Sequence, residues 1–201
     1  WRYGIYPGQI ESLAGVLTAP LIHGSLSHIT SNSLPLLVML TILFYIYPRS
    51  SPVVLFVLYI GSGIIVWLIA RQAWHFGASG LTHGLMFFLF TIGIVRRDAL
   101  AAVFAMIVFF LYGGMVWEIF PRDPAISFEY HLAGAGLGVL LAFLMKNVAN
   151  KAIDLLERLH LYLLKQDSAT DAKRALQGRN EFKNQKWTAH DTKKKTRFGR
   201  K

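Results

Sequence analysis

Long runs of apolar residues without a charge alternate with short polar segments along most of the chain. Five runs approach the roughly 20 residues that a helix needs to cross about 30 Å of hydrocarbon. They cover residues 28–47, 52–70, 77–95, 99–117 and 130–145. The runs lack the two-residue alternation of transmembrane β-strands, and only helices or closed barrels satisfy the backbone in lipid. The pattern therefore predicts an all-α membrane protein with five transmembrane helices.

Composition agrees with this prediction, because 54% of the 201 residues are hydrophobic and only 16% are charged. Charge is unevenly divided: six Lys and Arg against five Asp and Glu precede Lys146, and fifteen against six follow from Lys146 onward. Such a basic block can meet anionic lipid headgroups, nucleic acid or only solvent. We interpret it as a solvated extension and expect no nucleic-acid partner. The chain contains no cysteine, which excludes thiol chemistry.

The region after the fifth run divides into two parts. Residues 148–166 have apolar positions at helical spacing, as expected for an interfacial amphipathic helix or a plain juxtamembrane helix. Residues 167–201 are polar and basic and predict a disordered tail. The basic residues that follow the fifth run favour a cytoplasmic C-terminus. Five spans then place residues 1–27 outside as an extramembrane loop, and we expect a further helix before Trp1.

Polar side chains stand at the outer ends of three alternate spans. His28 and Asn32 begin the first span, Ser79 begins the third, and His131 begins the fifth. Alternate spans run in the same direction, so these groups share one membrane depth. Polar groups in a bilayer are costly and usually face the bundle interior or a water-filled cavity. The sequence therefore predicts a functional site that opens to the extracytoplasmic side.

Glycine spacing predicts which spans approach each other closely. Small-residue faces are formed by two glycine pairs, Gly80 with Gly84 and Gly134 with Gly138. If these faces pack together, Ser79 and His131 meet near the top of the contact. A serine hydroxyl beside an imidazole is a nucleophile with its general base. His28 and Asn32, one helical turn apart, could supply N–H donors to an oxyanion together with the Ser79 backbone N–H.

A metal site is the competing interpretation of the same polar residues. Four imidazoles are numerous enough for zinc or another transition metal: His23, His28, His83 and His131. However, the sequence has no HExxH motif, and the five predicted spans contain no acidic residue. We therefore assign neither a metal nor a cofactor at this point.

Three short motifs in alternate spans resemble those of the rhomboid family of intramembrane serine proteases. HGSLSHITSN, from His23 to Asn32, resembles the family's H-x4-H-x3-N, and GASG, from Gly77 to Gly80, resembles its G-x-S-G. HLAGAGLG, from His131 to Gly138, resembles its H-x-x-G-x-x-x-G. The first extramembrane loop is similar to that of bacterial members. The resemblance extends over about residues 3–145 and identifies 1–147 as a rhomboid-like catalytic domain.

The resemblance implies a six-helix core, of which five helices are present, and a Ser–His dyad that works without an aspartate. Ser79 is then the nucleophile and His131 the base, while His28 and Asn32 join the Ser79 N–H in binding the oxyanion. His23 belongs to the supporting hydrogen-bond network. Transmembrane proteins in the lipid bilayer are the implied substrates, and the fourth span with loop 118–129 forms the gate and cap.

One motif position departs from the family pattern. His83 stands where the family usually has tyrosine or phenylalanine stacked on the catalytic histidine. Imidazole can still stack there, but it can also compete for the proton. The family also contains members without activity, so a rhomboid-like protein that binds transmembrane clients without cleaving them is the alternative. The oligomeric state is left open.

Overall fold

The computed structural model describes the backbone of residues 2–96 and 99–198, and the side chains of these residues except 148–160 and 180–198. Its α-helices, in chain order, are α1 (Gly15–Thr18), α2 (Leu26–Ile46), α3 (Ser51–Ile69), α4 (Ser79–Arg96), α5 (Ala99–Tyr112) and α6 (Phe128–Phe198). Single 3-10 turns or short 3-10 segments lie at Ile10–Ser12, Ala19–Leu21 and Gly113–Ile119.

Five helical segments are long and apolar enough to cross a membrane, which confirms the predicted number. They are Leu26–Ile46, Ser51–Ile69, Ser79–Arg96, Ala99–Ile119 and Phe128–Asn147. Their ends differ by no more than a few residues from the predicted runs. The fourth span changes character at Tyr112, where α5 continues as the 3-10 segment Gly113–Ile119.

Helix α4 lies at the centre of the bundle. About two thirds of its span (67%) is buried, against 17% to 39% for the other four spans. Leu85, Phe88 and Ile92 of α4 belong to one buried apolar cluster with Met39 of α2 and Leu58 of α3. A helix surrounded by protein on most sides can carry polar groups, since its neighbours shield them from lipid.

The loop before α2 is ordered by contacts with the end of the bundle that carries Ser79. Ile5 and His75 exchange two backbone hydrogen bonds of 2.9 and 2.8 Å as an isolated antiparallel bridge. The Tyr59 hydroxyl of α3 donates to the carbonyl of Leu17 at 2.6 Å. At Gly15 an added Cβ would overlap the backbone of Gly4, so glycine permits this close crossing.

The basic tail differs from the sequence prediction. The composition of residues 167–201 predicted disorder, but α6 continues as a helix to Phe198. Residues 199–201 lie outside the described residues. Fifteen of the 35 residues from 167 to 201 are Ala, Lys or Arg, which are strong helix formers, and this accounts for the difference. Arg174 and Asp171 also form an i, i+3 ion pair at 3.9 Å.

Contacts divide the chain into two compact units, Trp1–Asn150 and Lys151–Lys201. The first unit contains the five spans. The segment 148–166, which was predicted to be helical, is helical as part of α6. Its attachment to a membrane surface stays a prediction.

Candidate active site

A cavity of about 700 Å³ opens where α2, α4 and α6 begin. The four side chains predicted to act in catalysis all line it: Ser79, His131, His28 and Asn32. Three different helices therefore bring these residues to one place, as their common membrane depth predicted. His83, Glu118 and part of the segment before α6 complete the wall.

A turn at Gly77 places Ser79 at the first residue of α4. Gly77 has a φ of +107°, a backbone angle that residues other than glycine rarely adopt. An added Cβ there would also lie 2.7 Å from Nε2 of His28. The Gly77 N–H donates to the carbonyl of Ala19 at 2.8 Å and fixes the turn. At the start of α4, the first backbone N–H groups have no intrahelical acceptor and stand at the positive end of the helix dipole.

Helices α4 and α6 touch through their backbones at the predicted glycines. A Cβ on Gly134 would overlap the carbonyl oxygen of Gly80, and a Cβ on Gly138 would overlap that of Gly84. Gly80 in turn accommodates the ring of Tyr130. The small residues thus allow the close approach that brings His131 to the same cavity wall as Ser79.

His131 is held in one tautomer by a backbone carbonyl. Its Nδ1 lies 2.9 Å from the carbonyl oxygen of Glu118. A carbonyl can only accept, so Nδ1 carries the proton and Nε2 of the neutral ring keeps a lone pair. Among the described residues, no hydrogen bond joins the Ser79 hydroxyl to this ring. Hydrogen bonds between a nucleophile and its base are often long before substrate binds and shorten in the complex.

His83 stacks on His131 as the ring of a tyrosine or phenylalanine would. The ring centroids are 4.0 Å apart and the ring planes differ by 9°. Nδ1 of His83 lies 2.8 Å from the carbonyl oxygen of Ser79, and Nε2 lies 3.2 Å from that of Met115. The neutral ring can donate to only one of them, and the shorter distance favours Nδ1–H. His83 therefore donates within α4, and its Nε2 lies beside the 3-10 segment after α5 without a proton to share.

His28 and Asn32 lie on one face of α2, toward the turn that precedes Ser79. The Gly24 N–H donates to Nδ1 of His28 at a long 3.4 Å, which leaves the proton of the neutral ring on Nε2. That Nε2 is the atom next to Gly77. Asn32 donates one amide N–H to the His28 carbonyl at 2.9 Å and has a second N–H in reserve. Both side chains therefore offer donors to this cavity.

His23 does not have the hydrogen bonds that the sequence prediction gave it. Both ring nitrogens are buried, and neither has a hydrogen-bond partner within the part of the chain that the structure describes. The ring instead makes an edge-to-face contact with His28, with centroids 5.0 Å apart. Its support for His28 is thus a packing contact.

His75 and Arg71 were missed by the sequence reasoning, yet they fix one wall of the site. His75 donates from Nε2 to the Arg71 carbonyl at 3.0 Å and accepts at Nδ1 from the Ser127 hydroxyl at 2.5 Å. Burial lowers the pKa of His75, although its hydrogen bond to the Arg71 carbonyl opposes this effect. The neutral ring matches both contacts. His75 stands alone in its loop, without a partner at helical spacing that could have drawn attention to it.

Arg71 fastens the segment before α6. Its guanidinium donates to the carbonyls of Pro124 and Ile126 at 2.9 and 2.8 Å, and its Nε lies 3.4 Å from Glu129. Sequence reasoning used this arginine only to count charges. The structure shows that Arg71 attaches the segment before α6, which forms part of the cavity wall, to the loop between α3 and α4.

Glu118 was also not predicted as a site residue, because it lies just outside the fourth apolar run. Ligand-type atoms of His83, His131 and Glu118 all lie within 4.8 Å of one another, close enough for one ion to be shared. His23 and His28, which the metal interpretation included, do not belong to this group. The electrostatic surroundings of the two stacked histidines therefore include the carboxylate of Glu118.

Comparison with known proteins agrees with the geometry. Residues 11–148 match the Rhomboid domain family. The chain is 32% identical over 158 residues to uncharacterized proteins of Mycobacterium bovis and Mycobacterium tuberculosis, an alignment that covers 74% of this chain and 66% of theirs. It is 30% identical over 151 residues to an uncharacterized protein of Mycobacterium leprae, covering 71% and 60%. With its motifs on one cavity and most of its length matched, the chain belongs to the rhomboid family.

Proposed function

We propose that this protein is an intramembrane serine protease that cleaves transmembrane proteins with a Ser79–His131 dyad. The tautomer of His131 carries the proposal. The Glu118 carbonyl holds the proton on Nδ1, so the basic lone pair is on Nε2. This is the orientation that a general base for serine requires, and a backbone carbonyl supplies it in place of an aspartate.

The proposed reaction gives each of these groups one role. Nε2 of His131 accepts the Ser79 proton as Oγ attacks the carbonyl carbon of a substrate peptide bond. The negative charge that forms on the carbonyl oxygen meets the Ser79 N–H, Nε2–H of His28 and an amide N–H of Asn32. Collapse breaks the C–N bond, and His131 gives its proton to the leaving amine. Water, activated by the same histidine, then hydrolyses the acyl-enzyme and restores Ser79.

Substrate access is assigned to α5 and the loop that follows it. The fourth span is the least buried of the five, at 17%. Its end contributes Leu111, Tyr112 and Met115 to the cavity wall. We propose that a substrate helix unwinds beside α5 and enters under segment 118–129.

Orientation in the membrane belongs to the same proposal. The concentration of Lys and Arg after residue 145 favours a cytoplasmic tail. The cavity, at the opposite ends of α2, α4 and α6, then opens to the extracytoplasmic side. A membrane-impermeant reagent should therefore label a cysteine introduced at Ser31, which lines the cavity, in intact cells.

Labelling by a serine-reactive fluorophosphonate tests the function directly. The probe should modify the wild-type protein at Ser79, and a transmembrane reporter should be cleaved. Ser79→Ala should abolish both. Ser31→Ala is the matched control, because Ser31 lines the same cavity but its hydroxyl donates to the His28 carbonyl, away from any base.

The outcome also distinguishes the protease from a binding protein. A rhomboid-like protein that only holds transmembrane clients would crosslink to the reporter without labelling at Ser79 and without cleavage. That result in folded wild-type protein would refute the proposed function. Cleavage retained in Ser79→Ala would refute the assignment of the nucleophile.

A further inference from the structure

We propose that His83, Glu118 and His131 bind a divalent transition-metal ion such as Zn²⁺, and that the bound ion inactivates His131 as a base. Oε2 of Glu118 lies 3.6 Å from Nε2 of His83 and 3.9 Å from Nδ1 of His131. Two imidazoles and one carboxylate are a ligand set that Zn²⁺ accepts, with a fourth position left for water.

The acceptor atoms around His83 suit a cation when the ring carries its proton on Nδ1, the tautomer that the shorter contact favours. With its proton on Nδ1, His83 presents the Nε2 lone pair to the Met115 carbonyl at 3.2 Å and to the Glu118 carboxylate at 3.6 Å. These three atoms are all electron-pair donors, and His83 is fully buried. Acceptors that face one another without a proton are unfavourable. A metal ion among them would turn this mismatch into coordination.

The cavity gives the ion access and the remaining ligands. The Glu118 side chain is about half exposed (48%) and lines the cavity, so it has room to shift when a histidine ring turns. Water in the open cavity can complete the coordination sphere. The two histidines come from α4 and α6, whose relative position is fixed by the glycine contact.

Metal binding requires one of the stacked rings to turn. Imidazole lone pairs lie in the ring plane, and the two planes are parallel with centroids 4.0 Å apart. An ion at about 2.0–2.1 Å from both nitrogens cannot lie in both planes at once. Loading therefore unstacks the pair and replaces the hydrogen bond from His131 Nδ1 to the Glu118 carbonyl.

This rearrangement moves a proton. Nδ1 of His131 must give up its proton to bind the ion, and a neutral imidazole then carries its single proton on Nε2. Nε2 can no longer accept the Ser79 proton. Inhibition of proteolysis by the ion thus rests on the proposed function, but binding of the ion does not.

Binding is tested with Co²⁺ on the purified full chain in detergent micelles. The Ser79→Ala variant is used, since it keeps all three ligands and cannot cleave itself. We expect saturable d–d absorption that Zn²⁺ displaces. Glu118→Gln and His83→Phe should each weaken binding at least tenfold, given that even outer-shell changes typically cost about 10–100-fold.

Two control variants separate this site from adventitious binding. Glu11→Gln removes an exposed carboxylate elsewhere, and His160→Gln combined with His190→Gln removes the two imidazoles that follow the fifth span. Both should bind Co²⁺ like the parent. The proposal is overturned if the parent shows no saturable binding, or if Glu118→Gln and His83→Phe bind as tightly as the parent.

Activity gives the second readout. Zn²⁺ should slow reporter cleavage by the wild-type protein, and a chelator should restore it, while the rate of Glu118→Gln relative to its own metal-free rate should change little. Cleavage that is insensitive to Zn²⁺ at saturating occupancy refutes the inhibitory effect and leaves the protease assignment intact. Saturable Co²⁺ binding without any reporter cleavage supports the metal site and refutes the proposed function.

Discussion

The contact between α4 and α6 gives a sharp test of how the site is assembled. A Cβ added at Gly134 would overlap the carbonyl oxygen of Gly80, a backbone atom that cannot rotate away. An ordinary carbon–oxygen separation is restored only if the helices move apart by roughly 1 Å or more. Overpacking costs about 1–3 kcal/mol. We expect Gly134→Ala to lose stability at the upper end of this range, because backbone opposes the new methyl group.

Gly136 of the same helix provides a matched control. Nothing lies within 4 Å of a Cβ built there. Alanine is favoured over glycine in a helix by about 0.8–1.0 kcal/mol on the aqueous scale. Gly136→Ala should therefore leave stability unchanged or raise it. The two variants make the same chemical change two residues apart, so the difference between them isolates the helix contact.

Thermal unfolding in detergent and cleavage of a transmembrane reporter measure the two consequences. A displacement of about 1 Å at the dyad can lower the rate about a hundredfold. Gly134→Ala should thus lower both the melting temperature and the cleavage rate, and Gly136→Ala should lower neither. Equal melting temperatures and equal rates for the two variants would refute the view that this contact positions Ser79 against His131.

Three further predictions concern the loops around the cavity. Arg71→Ala removes two hydrogen bonds of a partly exposed guanidinium and should lower the free energy of unfolding by about 1–2 kcal/mol. Amide hydrogen exchange in segment 120–127 should accelerate. Unchanged protection would contradict the role of this arginine. Because burial lowers the pKa of His75, the unfolded chain takes up the extra proton first as pH falls below about 6.5. Stability should then decrease from pH 7 to pH 5, and less steeply in His75→Gln; equal slopes would rule the explanation out. Gly77→Ala places a Cβ 2.7 Å from His28 at a positive φ, so it should cost about 1–3 kcal/mol and abolish fluorophosphonate labelling. Labelling at the wild-type rate would show that the turn tolerates a side chain.

Hydrophobic patterning was sufficient to predict the spans, because the requirement for about 20 apolar residues is strict in a bilayer. It also placed Ser79, His28 and His131 at one depth, since alternate helices share a direction. The glycine pairs predicted the α4–α6 contact for a similarly simple reason, namely that only small residues allow backbones to touch.

Features formed by loops and backbone atoms could not be predicted in this way. His75 acts through Ser127, which is distant in sequence, and no periodic pattern links the two. The acceptor for His131 is the backbone carbonyl of Glu118. Every residue type has the same backbone carbonyl, so the sequence does not mark this one. The prediction of a disordered tail was wrong for a different reason. Its polar composition predicted disorder, whereas the helix propensity of the same residues determines its backbone.

The Glu118 carbonyl has a consequence for how the site can change. Every amino acid at position 118 supplies the same carbonyl, so point substitution cannot delete the group that sets the tautomer of His131. A new path of segment 113–119 would move it away, and this segment also forms part of the cavity wall. An opening motion that carried Glu118 outward would admit substrate to a base without its orienting acceptor. If the protein is the proposed protease, substrate entry and readiness for proton transfer depend on one short stretch of backbone, and a productive gate must open while that carbonyl stays in place.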